Sequence, residues 1–192
     1  MTATLEAHDT ATIPWQIDSS HTEVEFSARH LMISNVKGRF SSPSGTVRYD
    51  PAHGVPLDLE VTVPIDTIDT RNAQRDAHLR SADFFDAEHF PTMTFKGRHI
   101  EGDITKSFKL IGELTIRGTT RDVTLDVTSE GNGPDPWGND RLGFSATATI
   151  NRTDFGLLWN QLLETGGVAV SDQIKIIINT ELMRPRAPKP AN

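Results

Sequence analysis

Phe108-Lys-Leu-Ile-Gly-Glu-Leu-Thr-Ile-Arg-Gly118-Thr-Thr-Arg-Asp-Val-Thr-Leu-Asp-Val-Thr128 decides the fold class of this chain. Phe108, Leu110, Gly112, Leu114 and Ile116 alternate with Lys109, Ile111, Glu113, Thr115 and Arg117. Beyond Gly118-Thr-Thr120, Val123, Leu125 and Val127 alternate with Thr124, Asp126 and Thr128. A side-chain period of two belongs to a strand with one face buried and one wet. Two such runs joined at a glycine turn predict an antiparallel hairpin.

The same alternation recurs outward from the hairpin. Val24, Phe26, Ala28 and His30 share one face of the run from His21 to His30. Leu57, Leu59, Val61, Val63 and Ile65 share one face of the next long run. Phe144, Ala146, Ala148 and Ile150 repeat the pattern, as do Ile174, Ile176 and Ile178 in a last strand over 171–182. Trp15–Asp18, Thr46–Tyr49 and Met93–Lys96 read as further strands. Leu31–Gly38 and Gly131–Asp140 read as connections, and Arg152–Gly156 as a bend. Leu157–Leu163 is either a short helix or an irregular apolar segment.

The strands, about eight, carry no helix between successive pairs, so the class is all-β and antiparallel. Runs this long favour curved strands closed into a barrel over a sandwich. Ala28, Gly112, Ala146 and Ala148 are small residues on inward faces. They leave either a tapered packed core or a ligand cavity.

One stretch interrupts the strands: Asn72-Ala-Gln-Arg-Asp-Ala-His-Leu-Arg-Ser-Ala-Asp-Phe-Phe-Asp-Ala-Glu-His-Phe-Pro91. Thr70 is placed to cap a helix over 71–80 that is polar nearly all round, hence a surface crossing or lid. Arg75, Asp76 and His78 either tie this lid down or greet an anionic head group at a mouth. Leu79, Phe84 and Phe85 are its apolar anchors. Arg75, Asp76 and His78 also raise an enzyme reading, hydrolase-type or other, on an amphipathic substrate. No catalytic residue is assigned, because no nucleophile elbow, phosphate loop or dinucleotide fingerprint accompanies them. No metal site and no cofactor are expected, since the histidines fall in no ligand-like spacing.

The 192 residues suit one domain over 15–183. Residues 1–14 read as a flexible tail and the Pro-rich residues 184–192 as a disordered one. Cysteine is absent, which removes disulfides and thiolate chemistry. A net charge of −7 with dispersed basic residues disfavours nucleic acid. No signal-like start and no membrane-length apolar run are present, so a cytoplasmic protein without stable membrane insertion is expected.

Several motifs together resemble the YceI-like family. They are Trp15-Gln-Ile-Asp18-Ser-Ser-His21, Val24-Glu-Phe26, His30-Leu31, Gly38-Arg-Phe40, Asn72 with Arg75-Asp76, and His78-Leu79-Arg80-Ser81. Asp83-Phe84-Phe85, Phe90-Pro91 with Phe95, Gly112-Glu-Leu-Thr-Ile-Arg-Gly118 and Arg152-Thr-Asp-Phe-Gly156 continue the series through to about Leu182. The resemblance implies an extended, lipocalin-like, eight-stranded barrel that holds a polyisoprenoid or fatty-acid-like lipid, for storage or transport, without catalysis. The expected interior residues are Phe26, Ala28, His30, Val61, Phe95, Leu114, Ile116, Phe144, Ala146, Ala148 and Ile176. A packed barrel that works through its surface is the remaining alternative, and a homodimer is left open.

Overall fold

The computed structural model describes residues 14–50, 55–162 and 168–186. Ten strands form one antiparallel sheet. They are β1 (Trp15–Ile17), β2 (Glu23–His30), β3 (Ser34–Phe40), β4 (Ser44–Asp50) and β5 (Val55–Pro64), then β6 (Thr92–Gly102), β7 (Ser107–Ile116), β8 (Thr119–Pro134), β9 (Asn139–Asn151) and β10 (Val170–Pro185). One helix, α1 (Ala73–Arg80), lies between β5 and β6.

The ring runs β1-β4-β5-β6-β7-β8-β9-β10 and closes where Gln16 and Ile17 of β1 meet Met183 and Leu182 of β10. That is the closed eight-stranded barrel expected from the pattern. β2 and β3 extend the runs of β1 and β4 past a 3-10 turn at Ser19–His21 and a break at Ser41–Pro43. Their hairpin continues along β10. β5 stops at Pro64, short of β3; that side is joined by the bridge between Arg39 and Asp69 and by the Ser41 amide, which donates to the Thr67 hydroxyl. The segment 65–91 covers the resulting gap. The helical insertion therefore sits where one strand is too short to close the wall.

The β7–β8 hairpin forms as predicted. Ile116 pairs with Thr119 across Arg117 and Gly118, whose φ values of +48° and +70° give a two-residue turn matching the twist of the strands. Inward Leu110, Leu114, Ile116, Val123, Leu125 and Val127 are buried. Gly112 has a different use from the one its size suggests. Its place over the core is taken by the Phe95 ring, which a Cβ there would overlap together with the Lys96 carbonyl.

Several boundaries differ from the pattern. The region 131–140 is mostly strand: β8 runs to Pro134, β9 starts at Asn139, and the turn is braced by Asp135, which accepts from the Trp137 and Asn139 amides. Part of the expected Leu31–Gly38 connection is β3, paired from Ser34 onward with β2. His21 belongs to a 3-10 turn and not to β2. Asn72, not Thr70, caps α1, accepting from the Arg75 amide at 3.0 Å. Leu157–Leu162 is irregular, with a single bridge from Leu162 to Val168. Arg184 and Pro185 extend β10 and so are not part of a disordered tail. Residues 1–13 and 187–192, the remainder of both expected tails, lie outside the described residues. Among the described residues no helix is long and apolar enough to cross a membrane.

Candidate functional site

Alternation aims one face of every strand at the barrel axis, and two cavities lie there. The larger is about 280 Å³. Its wall includes Val61, Phe95, Leu114, Phe144 and Ala146, with Trp15, Ile100, Ile104, Phe108 and Leu142 toward the end away from α1. These last five are half-buried, and Ile104 lies in the β6–β7 turn itself, so the chamber reaches the rim at that end. The smaller cavity is about 110 Å³ and lies at the α1 end, lined in part by Phe26, Ala28, Leu79, Phe84, Phe85 and Ile174. Val24, Met93, Ile116 and Ile176 line both, so the two cavities adjoin along the barrel axis across these side chains.

The larger wall bears no titratable side chain. Its hydroxyls are Thr22, Thr94 and Thr180, and Thr22 and Thr180 bond each other at 2.9 Å. Such a surface offers dispersion and desolvation and no general acid or base. The smaller cavity touches one cation, Arg152. That guanidinium makes four hydrogen bonds. Nη1 donates to the Leu157 and Trp159 carbonyls at 2.6 and 2.8 Å, Nε to the Ser171 carbonyl at 3.0 Å, and Nη2 to Asp172 at 3.0 Å. It holds the irregular segment after β9, and four of its five N–H donors are used in doing so.

Of the expected interior residues, nine line one cavity or both. Ala148 is buried but lines neither. His30 also lines neither; it ends β2, opposite Val170 and Ser34.

The expected mouth needs correction. Arg75, Asp76 and His78 line neither cavity, and α1 lies at the end opposite the rim of the larger chamber. Asp76 is buried and accepts from the Thr70 amide at 2.9 Å and the Thr70 hydroxyl at 2.5 Å. Arg75 donates through Nε and Nη2 to the hydroxyl and carbonyl of Thr70, each at 2.7 Å. His78 is 2.9 Å from Asp83 and stands edge-on to Phe84 and Trp159, with centroids 5.1 and 4.8 Å away. These groups anchor a plug, and Leu79, Phe84 and Phe85 are its inner surface.

A second polar cluster, which pattern reading did not single out, lies near the rim. Arg141 Nη1 donates to Asp18 and to Glu181, both at 2.7 Å, and its Nε donates to Asp135 at 3.0 Å. It thereby ties β1, β9, β10 and the β8–β9 turn. Ser20 and His21 join Asp18, yet Ser20 Oγ and Asp18 Oδ2 both contact the same ring nitrogen, His21 Nδ1, so no proton relay through the imidazole exists. Asp18, His21 and Glu181 are close enough to hold a cation, and the Arg141 guanidinium already lies between the two carboxylates. Arg141 falls on the outward face of β9, where an arginine carries no signal. Arg152 does carry one: it keeps the inward parity of Ile150.

The Asp18 carboxyl is held well below its ordinary range, first by the Ser20 hydroxyl, then by Arg141 and His21, against the opposing effect of burial. For Asp135 burial is the largest influence and acts upward, but bonds from Asn139, Arg141 and Trp137 together outweigh it and hold the carboxyl low. Both groups bind protons less readily folded than unfolded. Their stabilisation is full above the unfolded carboxylate range and is lost as pH falls toward the folded values. The expected result is a melting temperature steady above about pH 5 that falls below about pH 4, and falls less steeply in Arg141→Gln. Thermal melts across this range check it; equal slopes in both proteins would remove Arg141 from the account.

The architecture is a closed antiparallel barrel around apolar axial cavities. The chain matches the YceI-like domain over residues 15–182 and belongs to the YceI-like family. A UPF0312 protein of Staphylococcus aureus (strain N315) is 36% identical over 165 residues, covering 85% of this chain and 94% of that one. The crystal structure of Campylobacter jejuni YceI protein aligns with a TM-score of 0.67 at 34% identity, covering 82% of this chain and 90% of the other. A polyisoprenoid binding domain from Saccharophagus degradans shares the fold, with a TM-score of 0.63 at 13% identity over 90% of this chain and 99% of its own.

Proposed function

We propose that this barrel binds a long apolar molecule, a polyisoprenoid or fatty-acid-like lipid, and stores or carries it without chemical change. The carrying observation is the axial space: a chamber of about 280 Å³ with no titratable group among its described lining residues, adjoined by a second cavity of about 110 Å³. A packed scaffold would leave no such space. A linear molecule suits two cavities that adjoin along one axis better than a compact one does. Each methylene buried is worth about 0.8 kcal/mol. Some ten of them supply roughly 8 kcal/mol gross, the scale of a micromolar complex before ordering costs. The Saccharophagus domain, by its name a polyisoprenoid binder, supports the ligand class at the level of fold. The enzyme reading loses its support because Arg75, Asp76 and His78 are spent on anchoring and do not reach the cavity.

Native mass spectrometry of protein taken untreated from its producing cells tests the reading. The expected spectrum shows added mass that organic solvent extracts. Protein that is empty as isolated and takes up neither geranylgeraniol nor palmitate would overturn it.

A further inference from the structure

At the α1 end, two segments carry large apolar side chains into solvent. Met32 and Ile33, in the β2–β3 turn, are 55% and 78% exposed; Leu158 and Leu162, between β9 and β10, are 68% and 82% exposed. The segments adjoin: the Leu31 amide donates to the Ala169 carbonyl, and the Ala169 amide donates to the Gln161 carbonyl, each at 2.9 Å. The turn is not relaxed, because Leu31 and Met32 adopt φ of +50° and +59°, a region unfavourable for side chains of this size. Backbone strain that holds two apolar residues in water is a cost without return unless something covers them. Directly beneath, Ala28, Leu157 and Val170 line the smaller cavity.

The flanking charge points to the occupant. Arg29 and Lys37, exposed on the outer faces of β2 and β3, lie behind the tip by three or four residues, about 10–13 Å along the strands. Among the described residues neither has a carboxylate within ion-pair distance, while Asp172, the nearby acid on β10, is taken by Arg152. An apolar tip, uncharged among the described residues and backed by basic side chains at head-group depth, is the pattern of a surface that dips into a bilayer interface. We propose that this end of the barrel docks on a lipid bilayer through Met32, Ile33, Leu158 and Leu162, with Arg29 and Lys37 against anionic head groups. Docking there sets the plugged end, with the smaller cavity behind it, against the source of the ligand; in this the proposal rests on the binding reading above.

Co-sedimentation of the full chain with vesicles of phosphatidylcholine and phosphatidylglycerol is the test. The wild type partitions onto them. Replacing all four side chains (M32S, I33S, L158S and L162S) lowers partitioning by about tenfold or more. Because all four are exposed, the thermal melt stays put. Arg29→Gln with Lys37→Gln weakens binding when phosphatidylglycerol is present and leaves it unchanged on pure phosphatidylcholine. Ala146→Phe, deep in the larger chamber, leaves partitioning intact, so a failed binding reading and a failed docking reading give different results. The proposal is overturned by wild-type protein that ignores vesicles, or by a fourfold variant that partitions like wild type. It is equally overturned if light scattering shows that the variant converts a dimer to a monomer, which would make a second copy the cover.

Discussion

Ala146→Phe is expected to yield a folded barrel whose affinity for an apolar chain has dropped by at least about tenfold, or 1.4 kcal/mol. Ala146 is 7% exposed, lies opposite Val127 on β8 and Ile178 on β10, and lines the larger chamber. A phenyl ring there projects into space already present, near Phe108 and Phe144, whose rings stand 6.0 Å apart edge to face. Overpacking a full core costs about 1–3 kcal/mol. Entering a cavity costs less, because few neighbours must move. One added ring takes up a substantial share of a chamber of about 280 Å³, so a long ligand loses much of its room. Displacement titration with a fluorescent fatty acid, read beside a thermal melt, measures both effects. Retained affinity with an unchanged melt would put the ligand outside the chamber.

Arg152→Met should leave the barrel strands able to form but cost about 3–5 kcal/mol of stability. Arg152 is 4% exposed, and its removal deprives the Leu157, Trp159 and Ser171 carbonyls of their guanidinium donors. Each acceptor left unmatched in a dry site costs about 1–3 kcal/mol. The four-residue turn at 152–155 and the buried Phe155 and Leu157 would lose their anchor together. For a chain of this size the melting temperature should fall by roughly 6–20 °C. Arg152→Lys should recover only part of this, because an ammonium is a point donor and cannot span carbonyls from two chain segments. A melt within 2 °C of wild type, roughly the effect of under 1 kcal/mol, would show that the segment holds itself.

The barrel was legible in the sequence because a strand's two faces differ in every second residue. Phe108 to Thr128 alone states the hairpin, its inward face and its turn. The same parity found Val61, Phe95, Leu114, Phe144, Ala146 and Ile176 on the cavity wall. Parity cannot tell height along the axis. Ala146 and Ala148 are indistinguishable in pattern, yet one lines the chamber and the other is packed. His30 has inward parity and lies at a strand end, and it lines neither cavity. Gly112 looks like room for a ligand and is filled by Phe95.

What the sequence determined by itself was local: period, turns, the polar character of α1, and the aromatic anchors that follow it. What only the tertiary structure decided was which ends meet. β5 falls short of β3, so the segment 65–91 became a plug at one end while the larger chamber reached the rim at the other. That placement turned Arg75, Asp76 and His78 from candidates for a mouth into anchors. It also brought Asp18 and Glu181 to Arg141 and its hairpin neighbour Asp135, from three separate parts of the chain. Periodicity records which way a side chain points from its own backbone. Closure of the ring decides what it then meets, and no local pattern encodes that.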